Sequence, residues 1–302
     1  NLGGSIEYNS SDPKDKMGGT LGQSFGSNEN FHTFIRFDSG KLNESGTKFF
    51  VSYMRNDSQK WKGYGDQFLQ QVNAKFVQPI GERSKISAFF DWSDLHQLTY
   101  DDYSFQMIDK LGTSQDFTYN GKLSGYQAAY NMPAKNIFPG NLGQVLGGDG
   151  NPSLDSAYYN GGTNNVDLLG GLKADLQMTD RLRWTTTVYG HNQQNQTTWV
   201  SPYGNPTGAP GAGLPTPNGS PLFNIVKEPE IRRFGIISAV HYNIAHNELG
   251  AGVWYENNHY HSPMNAYEEP ALDGSGQLMS PLVYDLNQFN GPFAQVFNQV
   301  YN

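Results

Sequence analysis

The stretch "DLHQLTYDDY" places three carboxylates, Asp94, Asp101 and Asp102, beside the imidazole of His96. Acid and imidazole together are the groups that general acid–base hydrolysis uses, provided they meet in space. His259 and His261 sit two residues apart, so on a strand they share a face, and His-x-His is a metal-binding spacing. No third ligand stands at a telling distance. The chain has no cysteine, which removes thiolate metal sites, Cys nucleophiles and disulfides. No glycine-rich loop follows a strand and opens a helix, so a phosphate cradle is not indicated. The expectation is a protein that is not an enzyme and carries no cofactor or resident metal.

Recognition chemistry is better represented. Tyr100, Asp101, Asp102, Tyr103, Tyr158 and Tyr159 belong to one long connection, Asp94–Asn165, with Phe105, Tyr119, Tyr126 and Tyr130. Tyrosine offers flat apolar area with a polar tip at low entropic cost, which suits a ligand surface; the same side chains can also hold the loop together. The connection Gln193–Glu230 holds seven of the 16 prolines, and Trp199 and Tyr203 are its best contact residues. Proline with glycine favours an extended segment, so a mobile lid is expected there.

These groups need elements to position them. Charged residues make up 16% and aromatics 14%, so polarity comes from amides, hydroxyls and 35 glycines. Disordered chains show the opposite balance. The net charge of -8 argues against a nucleic-acid partner. Alternation with period two marks strands over Thr20–Gly26, Phe31–Asp38, Lys48–Asn56, Gln67–Pro79, Lys85–Ser93, Val166–Met178, Leu182–His191, Arg232–Ile244 and Glu248–Asn258, with a partial tenth in "FAQVFNQVYN". From the third strand onward the connections alternate in length. Ile80–Arg83, Thr179–Arg181 and Ala245–Asn247 are tight; those between them are longer, and most are long. That layout, with strands longer than globular sheets use, predicts an all-β, antiparallel transmembrane β-barrel with long extracellular loops and short periplasmic turns. Phe25, Trp92, Trp184 and Tyr242 are expected near strand ends on the lipid side. Arg36, Asp38, Asn73, Lys75, Asp91, Asp167, Lys173, Asp175, Arg183, His241 and Glu256 share the polar parity of their strands and are expected to face a lumen.

"GGSIEYNSSDP" (Gly3–Pro13), followed by "MGGTLGQSFGSNENFHTFIRFDSG" (Met17–Gly40), resembles the plug–barrel junction of TonB-dependent outer-membrane receptors. "TKFFVSYMRNDSQKWKGYG" (Thr47–Gly65) and "LGAGVWYENN" (Leu249–Asn258) are similar to strands of that family's barrel. The resemblance implies residues 1–16 as the end of a plug domain and 17–302 as the first part of a barrel of about 22 strands, an internal fragment that would not insert or transport alone. It implies the bacterial outer membrane as the location, and active uptake of a ferric siderophore or oligosaccharide. Its partners would be TonB through a region upstream, outer-membrane lipid, the extracellular ligand, and the protein's own plug against the lumen-facing residues. A passive porin-like channel, an outer-membrane hydrolase and a soluble glycan-binding module are the rival readings.

Overall fold

The computed structural model describes residues 10–100, 105, 113, 122–131, 161–201 and 215–282. Eleven strands form one antiparallel sheet: β1 (Met17–Gly26), β2 (Asn30–Ser39), β3 (Lys48–Gln59), β4 (Asp66–Ile80), β5 (Ser84–Leu98), β6 (Gly161–Gln177), β7 (Leu182–Ser201), β8 (Phe223–Lys227), β9 (Glu230–Ile244), β10 (Asn247–His261) and β11 (Met264–Glu268). A helix, α1 (Leu123–Asn131), lies in the longest connection. No helix among the described residues is long and apolar enough to cross a membrane.

All nine expected strands are present, and most are longer than alternation alone marks. β5 runs on to Leu98 and β6 begins at Gly161, so Asp94 and His96 are strand residues and the long connection shrinks to 99–160. Trp92 consequently lies within β5 rather than at its end. β7 is 20 residues long, which takes Gln193–Ser201, with Trp199, out of the expected lid. The expected tenth strand lies outside the described residues.

Two strands have no counterpart in the alternation reading. β8 and β9 are two parts of one arm interrupted at Glu228–Pro229, and β10 and β11 are two parts of its partner interrupted at Ser262–Pro263. One register holds across both breaks: His261 pairs with Glu230, and Met264 with Lys227. The Glu228 amide donates to the Pro263 carbonyl at 3.0 Å, so the ladder is carried through the interruption. β7 spans the same break, pairing with β9 up to Gln194 and with β8 from Thr197. Proline lacks the donor that a ladder needs, which makes these positions read as loop from sequence.

Tight turns at 81–83, 178–181 and 245–246 mark one end of the sheet, and the connections 60–65, 99–160 and 202–222 mark the other. The β1–β2 turn, 27–29, is the short exception at the long-loop end. Asn28 and Glu29 both have positive φ there, as a tight hairpin with the native twist requires. Among the described residues the sheet is open, with β1 at one edge and the β10–β11 arm at the other.

The buried apolar clusters lie at the long-loop end. Leu98, Tyr126, Ala129, Val200 and Leu222 form one, with Leu272, Leu278 and Leu282 against it. Phe223, Ile225 and Ala266 form the second, packed on Trp199. A cap built from α1, β8, β11 and the ends of β5 and β7 thus carries an ordinary protein core. Among the described residues, the body of the sheet has no matching apolar layer over either face.

Candidate functional site

Register assigns every strand residue to one of two faces. On the first, Leu21, Ile35, Tyr53, Val72, Trp92 and Leu168 are successive partners across β1–β6. Leu172, Val188, Ile236 and Tyr255 continue this face across β6, β7, β9 and β10. Leu172 is 59% exposed although its strand is central, and Val253 is 73% exposed. A contiguous apolar surface of this size is rare on soluble monomers.

The apolar character of this face stops at one level. Towards the long-loop end it changes to Arg55 and Asp57 on β3, Asp94 and His96 on β5, Asn192 and Gln194 on β7, and Glu230 and Arg232 on β9. Three of these are acid–base pairs between residues two apart. Arg55 Nε meets Asp57 Oδ2 at 2.6 Å, His96 Nε2 meets Asp94 Oδ1 at 2.7 Å, and Arg232 binds Glu230. From Val166 to Leu176 on β6, and from Phe234 to Ile244 on β9, the apolar stretch matches the roughly 9–11 residues that a tilted strand needs to cross hydrocarbon.

The opposite face is polar, and all eleven residues expected to share one face lie on it. Arg36 and Asp38 are on β2, Asn73 and Lys75 on β4, and Asp91 on β5. Asp167, Lys173 and Asp175 are on β6, Arg183 on β7, His241 on β9 and Glu256 on β10. Their charges are largely matched across strands. Arg183 grips Asp175 with two bonds of 2.6 and 2.5 Å. Gln71 and Asn73 both donate to Asp91. His191 Nδ1 accepts from Arg233 Nε at 2.9 Å, so its proton sits on Nε2 and is donated to Asp167, also at 2.9 Å.

Residues 10–16 cross this polar face beside β2–β5. Asp38, fully buried, accepts from the Lys14 amide at 2.9 Å and from Arg36. Arg36 also donates to Ser11 Oγ at 2.9 Å and lays its guanidinium over Phe50, 3.7 Å from the ring centre. Asp12 receives Lys75 at 2.7 Å and Lys85 at 2.6 Å. Burial opposes the charged form of Asp12, yet these two ammonium groups outweigh it and hold its carboxyl at about 2. Asp15 is held below its ordinary value by hydrogen bonds from Lys48 and Lys41. A short segment preceding the sheet is therefore clamped to four strands by charges of both signs.

Of the residues expected to contact a ligand, Tyr100 closes over the long-loop end of β5. Its hydroxyl accepts from the Trp61 amide at 2.7 Å, and the two rings stand 6.1 Å apart. Trp199 is a packing residue of the cap, as are two tyrosines named with the long loop. Tyr126 is buried with its hydroxyl on the Pro270 carbonyl at 2.6 Å, and Tyr130 stacks beside it. Asp101, Asp102, Tyr103, Tyr158, Tyr159 and Tyr203 lie outside the described residues. His259 and His261 share the first face, opposite Arg232 and Glu230, and no group of three or more metal-ligating side chains occurs among the described residues. Asp94 and His96 meet, but on the first face, paired with each other and with Asn164.

Two features escaped the sequence reading. One is a clamp in the cap: Glu268, almost fully buried, accepts the backbone amides of Asn218 and Ser220 at 3.0 to 3.1 Å. Burial raises its carboxyl, and these amides pull against that rise. The other is a cleft of about 550 Å³ between the 27–29 turn, the 60–65 connection and the long-loop ends of β2–β5.

No protein-family model matches this chain, and no curated protein sequence does.

Proposed function

We propose that this chain is the first part of the barrel of a TonB-dependent outer-membrane receptor, which takes up a scarce ligand actively from outside the cell. The observation that carries the reading is the two-faced sheet. A solvent-exposed apolar belt of membrane-crossing height lies on one face, and on the other a mixed-charge surface clamps the segment that precedes the first strand. A transmembrane barrel needs the first face. A plug seated in the barrel needs the second, whereas an ion-selective pore would favour one sign of charge. The resemblance of Gly3–Pro13 and Met17–Gly40 to the plug–barrel junction points the same way.

In this reading the tight turns face the periplasm, and the cap and cleft face outward. Unpaired strand edges are costly in hydrocarbon, so β1 and β10 would pair with further strands of a longer chain. Ligand captured at the long-loop end would pass when TonB pulls on the plug, without covalent chemistry on the ligand.

The test uses the complete gene product expressed in a bacterium with an outer membrane. It is expected in the outer-membrane fraction, with heat-modifiable migration on unboiled gels and uptake that stops when TonB is deleted. Recovery as a soluble protein overturns the membrane reading. Uptake that continues without TonB establishes the passive channel instead.

A further inference from the structure

We infer that the cleft at the long-loop end of β2–β5 is a binding subsite for a neutral, polyhydroxylated ligand, an oligosaccharide segment. The inference deepens the uptake reading, and it rests on that reading for the side of the membrane on which the cleft opens.

The lining is unusual in chemistry. Among the described residues it contains six primary amides, Asn28, Asn30, Asn56, Gln59, Gln67 and Gln97, and no charged side chain. Another cleft, about 350 Å³ at the tight-turn end, is lined instead by Asp12, Lys48, Arg83, Lys85, Asp175 and Arg183 among others. Charge is therefore available on this face, and none of the described side chains lining the amide cleft carries it, although Asp66 beside the cleft accepts from Gln59. An anionic chelate or a peptide terminus would find no counter-charge among the described lining residues; the ammonium groups of Lys60 and Lys62 lie against the aromatic rings instead. A primary amide both donates and accepts, which matches a hydroxyl that does the same, and neighbouring amides match neighbouring hydroxyls of a sugar ring.

Five of the six amides are carried by strands, and Asn28 by the 27–29 turn. Ser58, Gln67 and Gln97 occupy one paired row across β3, β4 and β5. Asn30 on β2 donates to Asn56 on β3 at 3.2 Å, which orients both side chains. Sites carried by strands hold their geometry better than sites carried by loops.

The aromatic wall completes the match. Trp61 is 60% exposed at the cleft, and Tyr100 stands beside it at an interplanar angle of 37°. The C–H face of a pyranose packs on such rings while its hydroxyls point to the amides. Lys60 and Lys62 do not line the cleft. Their ammonium groups lie 4.7 Å from the Tyr100 ring centre and 5.3 Å from that of Trp61, where they brace the aromatic pair.

The complete protein in detergent micelles is titrated calorimetrically with maltotetraose, cellotetraose and xylotetraose. Tetragalacturonate and a ferric tris-catecholate serve as charged controls. At least one neutral tetrasaccharide is expected to bind. Trp61→Ala is expected to weaken that binding about ten-fold, the scale of a lost aromatic contact, and Trp61→Phe to restore most of it. Gln97→Ala supplies a second variant remote from the 60–65 connection, and heat-modifiable migration confirms that each variant folds.

Absence of binding to all three neutral sugars overturns the inference. So does binding that neither Trp61→Ala nor Gln97→Ala weakens, or a charged control that binds more tightly than the sugars. TonB-dependent uptake without saccharide binding sinks the inference and leaves the transport reading intact. Saccharide binding by a protein that is not in the outer membrane does the reverse.

Discussion

The ring of Tyr189 on β7 occupies the space that a side chain on Gly235 of β9 would need: a Cβ there would lie 2.5 Å from Tyr189 Cζ. The two residues are direct partners in the ladder and belong to a longer row, Phe89, Gly171, Tyr189, Gly235 and Glu256, across β5, β6, β7, β9 and β10. Aromatic and glycine alternate along it. Phe89 covers Gly171 in the same way, with its Cζ 2.7 Å from where a Cβ would stand. The Tyr189 hydroxyl reaches across Gly235 to Glu256 and accepts from Trp254 Nε1 at 3.2 Å. Glycine weakens a strand unless something covers it, and here the neighbouring ring does so.

Gly235→Ala should therefore destabilise by about 1–3 kcal/mol, the usual cost of overpacking. Tyr189→Ala should cost stability as well, through the uncovered glycine and the lost bond to Glu256. The double variant should be more stable than the sum of the two predicts, because the clash disappears with the ring. Urea unfolding of the four proteins in detergent or lipid measures the coupling, and strict additivity would contradict the packing described.

The apolar belt makes a depth-dependent prediction. Leu172→Arg, in the middle of the belt on β6, should reduce folding stability in a bilayer by ~2–4 kcal/mol, whereas Asn192→Arg, at the polar rim of the same face, should cost ~0–1 kcal/mol. Folding titrations into lipid vesicles separate the two. Equal effects would argue against a membrane boundary where the side chains change from apolar to polar.

Docking of residues 10–16 should depend on pH. The Asp12 carboxyl is held at about 2 in the fold, against an ordinary value of 3.8. A depressed carboxyl contributes stability that is fully present above its unfolded value and is lost as pH falls through its folded one. Protection of the segment from proteolysis should thus persist at pH 5 and disappear between about pH 4 and pH 2. High salt should weaken it at every pH, since the pair is partly exposed and screened. Asp12→Asn should flatten the pH response; an unchanged profile would assign the clamp to Asp38 and Asp15 instead.

The Glu268 clamp predicts a local effect. Glu268→Ala leaves the Asn218 and Ser220 amides without their acceptor inside the cap, at a cost of about 1–3 kcal/mol. Hydrogen exchange at 216–222 and in β8 and β11 should accelerate, while β2–β5 stay protected. Glu268→Gln, which keeps an acceptor oxygen, should fall between. Uniform acceleration across the sheet would mean that the cap and the long strands unfold together.

Much of this architecture was legible in the chain. Asp167, Lys173 and Asp175 against Leu168, Leu172 and Leu176 assign both faces of β6 without coordinates, because side chains alternate strictly along a strand and any slip exchanges the faces. The tight turns at 81–83, 178–181 and 245–246 were equally plain. Pro229 and Pro263 hid β8 and β11, since the partners that carry the ladder past them lie on other strands. Trp199 and Tyr126 had the composition of a recognition surface, yet both pack inside the cap. Tyr126 meets Pro270, a contact across 144 residues, which no local pattern encodes.

The sequence by itself determined which residues share a face, because period-two alternation is a property of each strand alone. The tertiary structure decided what those faces hold. It set the level at which the apolar belt ends, the alternation of rings and glycines along one row, the clamp on residues 10–16, and the amides gathered beside Trp61 and Tyr100. Each depends on the register between strands, and register is a relation among distant segments rather than a feature of any one of them.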